Sequence, residues 1–158
     1  MQNNEVSELL NPAFCALLYS SIVDGYNSKA LKKIPLYLPY ILIPIILHKE
    51  SRLVLPKTAA SKFHLWLQNE PQIVVGLTER VNSLEPYISK SSLLLRGQGI
   101  IDLDEDFRVS LIDNKKINKM IKNAEYISEY TFAAKKLGAI CGRFNCESTM
   151  LALLGIKL

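Results

Sequence analysis

Residues 86–112 read PYISKSSLLLRGQGIIDLDEDFRVSLI, and the pattern in this stretch decides the fold class. Tyr87 to Arg96 is a short helix ending in the apolar Leu93, Leu94 and Leu95, and Gly97-Gln98-Gly99 stops it. Ile100, Ile101 and Leu103 then form a strand, and Asp104-Glu105-Asp106 a polar turn. Phe107, Val109, Leu111 and Ile112 form a second strand, with Arg108 and Ser110 alternating to its other face. A helix, a glycine and a β-hairpin in this order match the C-terminal half of a winged helix-turn-helix, with the hairpin at about 100–112 as the wing.

Upstream, the signals are helical. Asn11-Pro12 caps and opens a helix over about 12–28, carried by Phe14, Leu17, Leu18, Ile22 and Tyr26 and weakened at its end by Asp24, Gly25 and Asn27. Pro35 opens a second, over about 35–50, apolar on every side and kinked by Pro39 and Pro44. Two more follow at about 58–69, through Phe63, Leu65, Trp66 and Leu67, and about 71–84, through Val74, Leu77, Val81 and Leu84. Glu85-Pro86 separates the latter from the helix at 86–96. Downstream, Ile117, Ile121, Ala124, Ile127 and Ala134 give one long helix over about 115–137, broken by Gly138, Gly142 and Asn145. Ser148 or Thr149 starts a last helix ending near 154, stopped by Gly155. The expected architecture is mostly α: one compact helical domain over 1–158 with a winged helix-turn-helix-like core and one hairpin.

The whole-chain properties agree. With 158 residues, 49% hydrophobic and 22% charged, the chain is long enough and apolar enough for a globular core. A mean hydropathy of +0.12 is high for a soluble monomer and fits either a large core or apolar surface covered by a partner. The net charge of +4 is mild for a dedicated nucleic-acid binder. Three cysteines, Cys15, Cys141 and Cys146, have no disulfide-framework spacing, and MQNNEVSELLNPAF has no secretory-leader pattern, so a cytoplasmic protein is expected. The apolar run Ile34 to Leu47 is shorter than a membrane span and holds three prolines, so it is read as a buried core element.

Residues able to carry chemistry are scattered. His48, His64 and the three cysteines do not form a zinc-ligand pattern, and Cys141 and Cys146 are not a CxxC pair. There is no GxSxG elbow, and Gly97-Gln98-Gly99 lacks the rest of a phosphate loop. Asp102, Asp104, Glu105 and Asp106 read as a solvated wing tip rather than a metal site. No catalytic, metal or cofactor-binding residue is therefore assigned, and no small-molecule substrate is expected. Surfaces are easier to name. Tyr37, Tyr40, Phe63 and Trp66 lie near apolar runs, and with Leu154 in the apolar C-terminal segment they are candidate partner contacts, core packing being the alternative. Lys115, Lys116, Lys119 and Lys122 are the densest basic run; they read as a solvated helix face or, with Lys90 and Arg96, as a phosphate-contacting patch. The acidic wing opposes phosphate binding there and favours a winged helix that binds protein.

Several pieces in order carry a family resemblance: Asn11-Pro12-Ala13-Phe14; Leu42-Ile43-Pro44-Ile45-Ile46-Leu47-His48-Lys49; Leu55-Pro56; Trp66-Leu67; the glycine-hairpin at 97–111; Ala134-Lys135-Lys136-Leu137-Gly138; Arg143-Phe144; and Leu153-Leu154-Gly155-Ile156. Together they cover nearly the whole chain, which resembles the middle component of bacterial three-component ABC-type systems and is similar to the small accessory subunit of Lamassu anti-phage systems. The resemblance implies a non-catalytic adaptor between an SMC- or Rad50-like ABC ATPase and an effector subunit, often a nuclease, in anti-phage or anti-plasmid defence. DNA contact would then occur only within the complex. It transfers no catalytic residue. The residues alone leave room for a winged-helix DNA-binding regulator.

Overall fold

The fold, taken from a computed structural model, starts where Asn11 caps helix α1 (Pro12–Asn27), its side-chain oxygen accepting from the Ala13 N–H at 2.9 Å. The structure describes residues 11–123 and 125–157. The reading of the N-terminal stretch against a secretory leader lies outside them, as does Ala124 on the predicted long helix. The elements that follow are β1 (Ile34–Pro35), α2 (Leu38–Leu47), α3 (Lys49–Leu53), α4 (Phe63–Asn69), a 3-10 turn (Pro71–Val74) and α5 (Leu77–Gly97). Then come β2 (Ile101–Leu103), β3 (Arg108–Leu111), α6 (Asn114–Lys122), a 3-10 turn (Glu125–Ile127), α7 (Ser128–Phe144) and α8 (Glu147–Leu154). The protein is mostly helical with one small sheet, as its periodicity predicts.

The sheet holds more than the hairpin. Its strand order is β1-β3-β2, all antiparallel, with Ile34 opposite Val109 and Leu103 opposite Val109 on the other side. Pro35 therefore ends an edge strand instead of opening a helix, a place where its missing N–H costs no ladder bond. Asn27, at the end of α1, fastens this edge: its amide nitrogen donates to the Val109 carbonyl at 3.0 Å and its oxygen accepts from the Ile34 N–H at 2.8 Å.

Several helix boundaries differ from expectation. The helix predicted at 71–84 starts only at Leu77, after the 3-10 turn, and is continuous with the one predicted at 86–96 in a single α5 that runs through Pro86. Proline removes one backbone donor, but at an exposed position water can replace that bond. The segment predicted as one kinked helix over 35–50 is divided at His48, whose extended backbone separates α2 from α3, while Pro44 is accommodated inside α2. The helix predicted over 115–137 is two, α6 and α7, joined through the 3-10 turn, and the one predicted at 58–69 begins only at Phe63.

Gly138 and Gly142 do not break α7, which continues to Phe144. They let it lie directly on α1, the most extensive helix pairing in the fold. A Cβ on Gly138 would run into the Ile22 carbonyl, one on Gly142 into that of Tyr26, and one on Gly25 of α1 into that of Lys135. Around this contact, α1, α2, α5 and the sheet bury Leu18, Tyr19, Ile22, Ile43, Ile46 and Val109 in a continuous apolar core. Burial of the Tyr19 and Tyr26 rings raises both phenol pKa values, that of Tyr26 to about 12.

Candidate functional site

The hairpin turn, the end of β1, the start of α2 and the first residue of α8 meet around a groove of about 540 Å³. Tyr37, Tyr40, Phe107, Arg108 and Glu147 line it. Its shape follows from the turn that closes the hairpin. Asp104 Oδ1 accepts from the backbone N–H groups of Asp106 and Arg108, both at 2.9 Å, and the Phe107 N–H donates to the Asp104 carbonyl at 3.1 Å. The position that follows such a turn takes left-handed backbone and usually glycine. Here it is Phe107, with φ 58°, and its ring is 65% exposed. A large apolar side chain is thus held out to solvent on strained backbone. The Phe107 carbonyl in turn accepts from the Leu36 N–H at 2.9 Å, which ties the turn to β1.

The groove floor is polar and ordered. Arg108 Nη1 donates to Glu147 Oε1 at 2.6 Å and to the Lys33 carbonyl at 2.7 Å. The Tyr37 hydroxyl lies 3.5 Å from Glu147 Oε2. The bond to Glu147 raises the Arg108 pKa, and partial burial, then the Glu147 charge, raises that of Tyr37. Tyr40 shares a 3.1 Å hydrogen bond with Ser89 of α5, and Ser89 donates to Glu85 at 2.7 Å. The result is an aromatic cleft with a fixed ion pair at its base and Asp106 at its rim.

The residues singled out in the sequence fall in three places. Tyr37 and Tyr40 come together in the groove. Phe63, Trp66 and Leu154 are core residues, each at most 5% exposed; Phe63 stacks near Trp66 and Phe144, and Trp66 donates its indole N–H to the Val54 carbonyl at 2.9 Å. Lys90 and Arg96 are exposed on the second half of α5, beside Leu93 and Leu94, which are exposed as well. Lys115, Lys116, Lys119 and Lys122 are exposed on α6. Sequence reasoning missed Phe107, Arg108 and Glu147. A bulky residue directly after Asp104-Glu105-Asp106, where the turn calls for glycine, was the available signal.

Among the described residues, no three His, Cys, Asp or Glu side chains are placed to hold a metal ion. Cys15 and Cys141 are buried, and burial raises both thiol pKa values, that of Cys15 to about 11. Cys146 is exposed and its pKa is lowered by hydrogen bonding to Thr149. Partial burial lowers the pKa of His48, whose Nδ1 is 2.8 Å from Ser51 Oγ. No described helix is long and apolar enough to cross a membrane.

The chain is thus mostly helical, with an aromatic groove beside its hairpin. Over residues 1–158 it matches, and it belongs to, the family described as ABC-three component (ABC-3C) system Middle Component 3. No curated protein and no solved structure gives a match.

Proposed function

We propose that this chain is a non-catalytic adaptor joining an SMC- or Rad50-like ABC ATPase to an effector, as in anti-phage or anti-plasmid defence complexes of the Lamassu kind. Its membership, over the full sequence, in a family of middle components carries this reading. A winged helix-turn-helix core fits the order α1, β1, α2, α5, β2, β3 and the strand order β1-β3-β2, with the segment between α2 and α5 replacing the usual short turn. The surfaces that such a core would turn to DNA favour protein instead. The second half of α5 exposes Leu93 and Leu94, and the wing tip carries Asp104, Glu105 and Asp106 beside the exposed Phe107. The groove formed by the half-buried Tyr37 and Tyr40 and the exposed Phe107 would seat one partner, since aromatic side chains are enriched among interface anchors.

The ATPase would act through the adaptor by differential binding: a change of shape on nucleotide or DNA alters the adaptor's contacts and so the effector's restraint. The test is co-expression of the tagged chain with the products of its neighbouring genes, followed by size exclusion. Coelution with a large ABC ATPase and an effector is expected, with Phe107→Ala reducing retention of one of them. A stable monomer that captures neither would end the adaptor reading, and salt-sensitive binding to duplex DNA would then favour the winged-helix regulator.

A further inference from the structure

The side of the molecule formed by α6 and α7 is chemically unlike the wing. Residues 113–136 hold six lysines against Asp113, Glu125 and Glu129, so this short stretch carries +3 of the chain's net +4. At about 3.6 residues per turn, Lys115, Lys119 and Lys122 form one stripe along α6, immediately beside the face that carries Asn114 and Asn118. Those two amides do not face open solvent alone. Together with Ser128, Phe132 and Lys135, the last paired with the lining carboxylate of Asp24 at 3.1 Å, they line a cleft of about 320 Å³ between α1, α6 and α7. At its mouth, Phe132 is 69% exposed, with Lys136 Nζ 5.6 Å from the ring centre, and Tyr126 nearby in sequence is 79% exposed. The amphipathic period of α6 explains why Ile117 turns inward; it gives no reason for the exposed Phe132 ring at the mouth of the cleft.

We infer that this surface binds single-stranded nucleic acid. The lysine stripe follows the phosphates, the Phe132 ring stacks with a base, and the Asn114 and Asn118 amides offer a donor and an acceptor to the base edge. The cleft lies at the small end of ligand-site volumes and suits one splayed base. In a duplex the base faces are stacked inside and an aromatic platform has nothing to engage, so single strands are preferred. An anionic membrane would engage the lysines and aromatics but leave the amide-lined recess unused. The inference goes beyond the adaptor reading and stands apart from it, because the isolated chain suffices for the test.

The measurement is fluorescence anisotropy of labelled oligothymidine, and of the same strand annealed to its complement, titrated with the purified chain over a range of salt. Tighter binding of the single strand is expected, with a slope of about −2 in log K against log salt for three phosphate contacts. Replacing Lys115, Lys119 and Lys122 together by Gln flattens that slope, and replacing all three by Arg restores it. Phe132→Ala weakens single-strand binding by roughly tenfold and leaves the slope unchanged. Thermal melting of each variant checks that these exposed substitutions leave the fold intact. Failure to bind the single strand at low salt would overturn the inference. So would equal affinity for the duplex with Phe132→Ala silent, or binding to phosphatidylserine vesicles in place of the oligonucleotide. None of these results bears on whether the chain coelutes with an ATPase.

Discussion

Gly138→Ala tests the contact on which the fold is centred. In an ordinary helix the change is favourable, since alanine exceeds glycine by about 1 kcal/mol in intrinsic propensity. At Gly138 the new methyl group meets the Ile22 carbonyl oxygen, a backbone atom with no rotamer to adopt. The helices α1 and α7 must separate, and the side chains packed along them lose contact. Overpacking of this kind costs about 1–3 kcal/mol, and a rigid backbone neighbour places it at the upper end. The balance is a loss of about 1–2 kcal/mol, or a melting temperature lower by about 2–8 °C for a chain of this size. Gly97→Ala is a control: it is the last residue of α5, where a methyl group meets nothing within 4 Å, so a propensity gain of at most about 0.5 kcal/mol should survive. Urea unfolding followed by the fluorescence of Trp66, the single tryptophan, measures both. If Gly138→Ala proved as stable as the unmodified protein, the reasoning about this interface would be wrong.

The other predictions concern the groove and the C-terminal helix. Phe107→Gly should raise stability by about 0.5–1 kcal/mol, because it relieves the left-handed backbone at the expense of some chain entropy, while it weakens partner retention in co-purification. Glu147→Gln should cost about 1 kcal/mol by removing the charge opposite Arg108, and should speed amide exchange in α8; unchanged exchange there would show that the ion pair does not hold the helix. Under native conditions iodoacetamide should label Cys146 and spare the buried Cys15 and Cys141. Because the Cys146 thiolate accepts hydrogen bonds, its rate should rise with pH through a midpoint below that of an ordinary thiol, and Thr149→Val should move the midpoint up.

Most of the helices and the hairpin were legible because periodicity and turn chemistry are local. Most of the differences share a cause: they depend on a neighbour distant in sequence. Pro86 looks like a stop in sequence, because its cost depends on exposure, which the local pattern does not display. Gly138 and Gly142 look like breakers until α1 lies against them. Ile34–Pro35 is too short to alternate and is a strand only because Val109 and Asn27 are there to pair with it. Aromatic residues in apolar runs look alike in sequence, so Tyr40 and Trp66 were named together although one lines a groove and the other fills the core. The Phe107 signal was local but hidden, since an aromatic residue also suits the first position of a strand.

The pairing of α1 with α7 also bears on how the protein is made. The largest helix contact joins residues 12–27 to residues 128–144, so its two sides leave the ribosome far apart in time. At about 5–20 residues per second, α1 waits several seconds for the surface that will cover it, exposing Leu18, Ile22 and Tyr26 meanwhile. During that interval, among the described residues, α2 and α5 are the longest helices available to shield it. Synthesis rate thus becomes a variable in whether the chain reaches its native state.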